Sequence, residues 1–256
     1  MFFENLKENY DKLSISEQQV IDYLMKQANV ESTTLKDIKH DCLVSSSTVI
    51  RACKKLGYKT FSDLKYDLRL NKDIEKKIEK KNNSTFLQMK EQLNVEFERT
   101  MSILDQYDFE NFADIIINSR RIFCVGIGSS YMVTSDFNRK LKLVDLWAND
   151  YFEHFSIERI PDISTNKDTI IIFSLGGDNE EVNTSLLKAK KNGTTILTIT
   201  SLTNNPLAKI SNHIIRVYDA PKKREKIRSR LMLNLVATLL FETIVSRLAK
   251  INGKKE

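Results

Sequence analysis

Cysteine is scarce: Cys42, Cys53 and Cys124 are the only three in 256 residues. They lie in or beside apolar segments without metal-type spacing, so neither disulfides nor a metal site is expected. Histidine is equally rare, with His40, His154 and His213, which leaves few candidates for a general base. No stretch reads as approaching the roughly 18 apolar residues of a membrane helix. The start, MFFENLKENY, has no basic segment leading into an apolar core, so no signal peptide is expected. The dinucleotide fingerprint G-x-G-x-x-G is missing too, because Tyr131 stands where its third glycine would fall. The expectation is a cytoplasmic protein with no membrane partner, no metal and no cofactor.

What is present is a balanced globular composition, 41% apolar and 29% charged, with a formal net charge of +6. That length suits one large domain or two modest ones. The excess charge is a mild bias toward polyanions.

The segment from Val44 to Tyr58 organises the first third. Ser45 reads as an N-cap, whose hydroxyl accepts from a free N–H of the first turn, and Gly57 as the left-handed stop. Val49, Cys53 and Leu56 share one face, which is expected to be buried. The other face shows Ser46, Ser47, Ile50, Arg51, Lys54 and Lys55. Hydroxyls and Arg suit base edges in a major groove, and Lys suits phosphates. On its own the segment also fits an amphipathic helix with a solvated basic face, so its neighbours decide.

Those neighbours are short helices. Phe3, Leu6, Tyr10 and Leu13 fall on one side of a first helix. Ser14-Ile15-Ser16-Glu17 matches a capping box opening a second, with Val20, Ile21 and Leu24 inward. Leu35 and Ile38 mark a third, and a brief turn at Cys42-Leu43 leads to Ser45. After Gly57, Ser62 is expected to cap a helix with Leu64, Leu68 and Leu70. Short helices around a tight turn describe a helix-turn-helix. From Ser45 to Lys72, Arg51, Lys54, Lys55, Lys59, Lys65, Arg69 and Lys72 oppose Asp63 and Asp67, a net of +5. Much of the excess charge therefore surrounds the proposed DNA-facing helix, and neutralised phosphates would make binding fall with salt.

The highly charged run 72–83 reads as a linker or exposed helical extension. Residues 84–104 follow as a helix whose Phe86, Met89, Leu93, Phe97 and Met101 form a stripe for packing or dimer contact. The expected layout is a DNA-binding domain over 1–76, a linker and connecting helix over 77–107, and an effector domain over 108–256.

From Arg120 strands alternate with helices. Ile122–Val125, Val144–Trp147, Thr169–Phe173, Thr195–Ile199 and His213–Val217 read as strands, and a long final helix runs from about Lys226 to Ile251. Repeated βα units imply a doubly wound parallel sheet of five strands. Ligands in such sheets sit beyond the carboxyl ends of the strands, where strand order reverses. Three of those ends carry small or hydroxylated residues: Gly128, Ser129 and Ser130; Ser174, Gly176, Gly177 and Asn179; and Thr200 with Ser201. Glycine lets backbone approach an anion, and serines with free N–H groups at a helix start bind phosphate without a metal.

The first third resembles the helix-turn-helix of the RpiR family of bacterial transcription regulators, on Ser16-Glu17, Ile21-Asp22-Tyr23-Leu24, Val44-Ser45, Thr48-Val49-Ile50-Arg51 and Lys55-Leu56-Gly57-Tyr58 through Phe61-Ser62-Asp63-Leu64-Lys65. The remainder resembles the sugar isomerase (SIS) domain fused to that module. The resemblance implies an all-helical DNA-binding domain joined to an α/β sandwich, and a DNA affinity set by a sugar phosphate. It also implies a homodimer or homotetramer on a double-stranded operator.

The site residues then follow. Ser46, Ser47, Thr48, Arg51 and Lys54 are expected to read DNA, with Lys55 and Lys59 on phosphates. Gly128, Ser129, Ser130, Ser174, Gly176, Gly177, Asn179 and Ser201 are expected to hold the effector. The family usually has S-x-S-G-E-T after the third strand, where this chain has Ser174-Leu175-Gly176-Gly177-Asp178-Asn179. One hydroxyl is missing and another has become an amide, at a cost of about 1 kcal/mol per lost hydrogen bond. The run from Lys222 to Arg230, including the family's Ser229-Arg230 pair, either supplies cations to the pocket or is a solvated charge run. A SIS isomerase would need a base. His154 beside Glu153 is the one pair of interest, and a regulator rather than an enzyme is expected. An alternative keeps the DNA function and makes the SIS domain a dimeriser alone.

Overall fold

The computed structural model describes residues 2–27, 29–81, 85–219 and 229–253. Contacts divide the chain into two units, Met1–Ile103 and Leu104–Glu256. The first is helical: α1 (Phe2–Asn9), α2 (Ile15–Lys26), α3 (Leu35–Cys42), α4 (Ser46–Lys55), α5 (Phe61–Lys81) and α6 (Thr85–Ile103). Its core is Phe2, Leu6, Tyr10, Val20, Ile21, Leu24, Ile38, Val49, Cys53, Leu56, Leu64 and Leu68. Three capping boxes start its helices. Ser14 with Glu17 opens α2, and Thr34 with Asp37 opens α3. At α5 the reciprocal pair is Thr60 and Asp63, not the expected Ser62, because the Thr60 backbone N–H donates to Asp63 while its hydroxyl accepts from the Asp63 N–H. α5 runs unbroken through 76, where a domain end was expected, and α6 packs against α1 and α5.

The second unit contains α7 (Gln106–Ile117), β1 (Ile122–Val125), α8 (Tyr131–Leu143), β2 (Ala148–Tyr151), α9 (His154–Glu158), α10 (Ile160–Ile163), β3 (Thr169–Phe173), α11 (Glu180–Lys191), β4 (Thr195–Ser201), α12 (Pro206–Ile210), β5 (His213–Val217) and α13 (Leu231–Asn252). The five strands are parallel, in the order β2-β1-β3-β4-β5. Alternate strand residues serve two cores. Cys124, Ile171, Phe173, Leu197 and Ile199 pack under α7, α8 and α13, while Phe123, Val125, Ile170, Ile172 and Ile196 pack under α9 to α12. Both faces are covered, which is why β3 is apolar throughout.

Two expectations need correction. β2 does not lie at Val144–Trp147. Asp145 adopts φ +59, its N–H donates to Lys142 O, and the Leu146 N–H reaches back to Leu141 O. That pattern is a Schellman motif, so Val144 to Leu146 close α8 and the strand starts at Ala148. Second, α13 is long and apolar enough to cross a membrane by length and composition. The reading that no segment came near this length rested on unbroken apolar runs, which Asn234, Glu242 and Arg247 interrupt. In the fold its Met232, Leu233, Val236, Leu240 and Ile244 are core residues.

Candidate functional site

The candidate DNA-facing element is α4. Ser45 caps it, accepting from the Thr48 N–H at 3.2 Å. At the other end Gly57 takes φ +83, its N–H donates to Lys54 O, and the Tyr58 N–H donates to Cys53 O. Val49, Ala52 and Cys53 are buried, so the helix can present only its opposite face. Ser46, Ser47, Arg51, Lys54 and Lys55 are exposed there, and Lys59 is exposed just beyond.

The cations on that face differ in how they are held. Glu17 of α2 is only 2% exposed, and its carboxylate accepts from Lys55 Nζ at 2.7 Å and from Arg51 Nε at 3.4 Å. Lys55 also donates to Lys12 O, and Arg51 to the Thr48 hydroxyl. Burial pushes the Glu17 carboxyl up, but hydrogen bonds from Lys55 and Ser14 outweigh it and hold it below the ordinary carboxylate value. Lys55, expected on phosphate, therefore buttresses α4 against α2. Thr48, expected among the readers, is buried, because the Ser45 cap and Arg51 draw its hydroxyl inward. Arg51 is held more loosely, its side chain 60% exposed. Among the described residues, no ion pair holds Lys54 or Lys59. Sequence reasoning missed Glu17 as the organiser of this face and saw only its half of the capping box.

In the second unit the strand order reverses between β1 and β3, so the loops after them flank the switch point. In the β1 loop Gly128 and Ser129 are exposed, and Gly128 takes φ +57. Ser130 is buried, and its hydroxyl accepts from Arg230 Nε at 3.0 Å. The Thr134 hydroxyl reaches Val125 O and Ser130 O from beneath, and a Cβ on Gly126 would lie 2.1 Å from it. Tyr131 tilts against Phe152 with ring centroids 4.2 Å apart.

The β3 loop is tied from inside. Ser174 Oγ accepts from the Gly177 N–H at 3.2 Å, and Gly177 O accepts from Asn183 and from the Leu207 N–H. Gly177 has φ +63, and a Cβ there would meet Asn205 Oδ1 at 2.3 Å. Ser201, expected to touch the effector, is buried and donates to Leu175 O at 2.6 Å, so it supports the loop. Asn179 spends its side-chain oxygen capping α11 through the Val182 N–H. Gly176 lies half-buried between them. Asn205, unnoticed in the sequence, donates to Thr200 and Thr203 and accepts from the Ala208 N–H. Asn-Pro-Leu, an N-cap followed by proline, was the available signal.

The electrostatics are mixed. Asp178, Glu180 and Glu181 crowd the start of α11, so an anion at the loops needs a nearby cation. Arg230 is that cation among the described residues, whereas Lys222 to Arg228 fall outside them. His154 pairs with Glu181 at 2.7 Å, not with Glu153 beside it. A groove of about 610 Å³ runs between α9–α10 and α11, lined by Phe155, Glu158, Arg159, Glu181 and Lys188. None of the expected effector residues lines it.

Residues 2–77 match the helix-turn-helix domain of the rpiR family, and residues 115–243 match the SIS domain. The chain belongs to the RpiR family of helix-turn-helix proteins with a SIS domain. Relatives include an uncharacterized HTH-type transcriptional regulator of Clostridium perfringens, 25% identical over 95% of this chain and 93% of that protein. A second, from Haemophilus influenzae, is 26% identical over 91% of this chain and 87% of its own length. Among solved structures, Vibrio vulnificus NanR complexed with ManNAc-6P shares the fold with a TM-score of 0.63, at 18% identity, over 99% of this RpiR-family chain and 94% of NanR.

Proposed function

We propose that this RpiR-family protein is a DNA-binding transcription regulator of sugar-metabolism genes. Its operator affinity is modulated by a phosphorylated sugar held at the β1 and β3 loops. The observation that carries the effector half is the Ser130–Arg230 contact beside the Ser174 turn at the switch point. Arg230 supplies the charge that the replaced hydroxyls do not, and a guanidinium fork suits phosphate geometry. The exposed set of Ser46, Ser47, Arg51 and Lys54 carries the DNA half, with Lys59 on backbone phosphate. The protein acts in the cytoplasm as a homodimer or homotetramer, since paired half-sites need paired modules.

NanR was solved with ManNAc-6P, so hexosamine phosphates head the ligand panel. Thermal unfolding of the full chain with each sugar phosphate tests this. A ligand at 100 times its dissociation constant adds about 2.7 kcal/mol, and the shift is expected to shrink in Arg230→Ala. A panel that leaves the unfolding temperature untouched removes the effector half. A shift in the wild type that Arg230→Ala retains in full removes Arg230 from the site.

A further inference from the structure

The least protein-like surface among the described residues lies on α6. Phe86, Leu87, Met89, Leu93, Phe97 and Met101 are exposed by 68, 43, 50, 41, 46 and 42%, while Glu96, Thr100 and Ile103 near the end of the helix are buried. Contiguous apolar exposure of this kind marks a surface that meets something. With large apolar side chains of roughly 200 Å² each, half exposure of six amounts to about 600 Å² on one copy. Two copies meeting would bury about 1,200 Å², the lower bound for a specific interface.

The order of residues says what fits. Counting outward from Leu93, Met89 lies four positions before and Phe97 four after; Phe86 lies seven before and Met101 eight after. Read from either end, the stripe alternates phenylalanine and methionine around a central leucine. A two-fold axis at Leu93 with the helices antiparallel therefore sets Leu93 on Leu93 and each Met89 on a Phe97, and leaves each Phe86 level with Thr100, one position short of Met101. The Phe97 ring then meets the Met89 thioether, a favourable contact, and Phe86 has the Met101 thioether one position along. A parallel pairing would stack phenylalanine on phenylalanine and methionine on methionine. Charge agrees: Lys90 and Glu98 are both exposed, and the antiparallel register brings each Lys90 to within two positions of level with Glu98 on the second copy.

We infer that α6 is a dimerisation seam, pairing antiparallel with the same helix of a second copy about Leu93. This deepens the regulator reading, because the seam would join two DNA-binding units through an element of the same unit. It rests on that reading only for its consequence.

Cysteine cross-linking of the full chain tests it, in a Cys42→Ser background because Cys53 and Cys124 are buried. At an antiparallel two-fold only the axial position brings identical residues close enough for a disulfide. Leu93→Cys under mild oxidation is expected to convert most of the chain to covalent dimer. Phe86→Cys alone is expected to stay monomeric on a non-reducing gel and to link when mixed with Met101→Cys. Met89→Cys mixed with Phe97→Cys provides a second pair should Leu93→Cys fold poorly. Self-linking of Phe86→Cys as complete as that of Leu93→Cys overturns the antiparallel seam. Absence of linking at Leu93 and in both mixtures overturns the seam altogether, whether another partner or the rest of the chain covers the stripe. Operator binding by such an unlinked chain would leave the regulator reading standing, whereas linking without operator binding would remove that reading and keep the seam.

Discussion

At α4 one serine is spent on structure so that its neighbours are free: Ser45 caps the helix, and Ser46 and Ser47 stay exposed. At the β1 loop the economy is reversed, since Ser129 is exposed while Ser130 is buried under the Arg230 guanidinium. The DNA-facing site is a side-chain surface aimed by one buried carboxylate, Glu17. The proposed effector site is a backbone cradle shaped by glycines and propped from beneath by Thr134, Asn205 and Ser201. The first should break when a charge is removed, and the second when a methyl group is added.

The largest expected effect is at Glu17. Glu17→Ala strips the partner from Lys55 and Arg51 and halves a capping box. We expect a loss of about 3 kcal/mol from the helical unit, from the lost cap and charge-assisted hydrogen bonds, read by urea unfolding with a probe in that unit. The Glu17 carboxyl is held below its ordinary value. Its contribution is therefore present above the unfolded pKa, about 4.3, and lost as pH falls through the lowered folded value. The acid sensitivity of the helical unit should be smaller in Glu17→Ala than in the wild type.

Next comes Gly177→Ala. Its φ of +63 disfavours any Cβ, and that atom would collide with Asn205 Oδ1. A cost of about 2 kcal/mol and loss of the sugar-phosphate thermal shift are expected, with ligand-free operator affinity unchanged. Ser174→Ala removes one neutral hydrogen-bonding group, about 1 kcal/mol or several-fold in effector affinity, measured by calorimetric titration. The smallest effect is at Lys54→Ala. It should lower the slope of log affinity against log salt by about 0.9, with stability unaltered.

The contrast also explains what the chain reveals before it folds. The α4 stop was legible because Gly57 occupies the left-handed position of its Schellman motif. The same motif at the end of α8 was not, because Asp145 fills that position, and the apolar residues around it imitate a strand. The strand-end loops were legible as loops, since their glycines and serines follow apolar runs. Which hydroxyls stay exposed was not, because Ser201 turns inward only through its contact with Leu175 O, 26 positions away. In the helical unit, periodicity showed which face of α4 is buried. It could not show that Lys55 is drawn to Glu17, a pairing 38 positions apart that depends on how α2 crosses α4. Apolar spacing likewise identified the α6 stripe, but only the fold showed that the stripe points outward.

The proposed function requires that the cradle and α4 be coupled. The most direct measurement is operator affinity of the full chain by fluorescence anisotropy, with and without a saturating sugar phosphate, in the wild type and in Gly177→Ala. A change of about 5- to 150-fold is expected in the wild type and none in Gly177→Ala. Equal operator affinity with and without a sugar phosphate that demonstrably binds the wild type would contradict it.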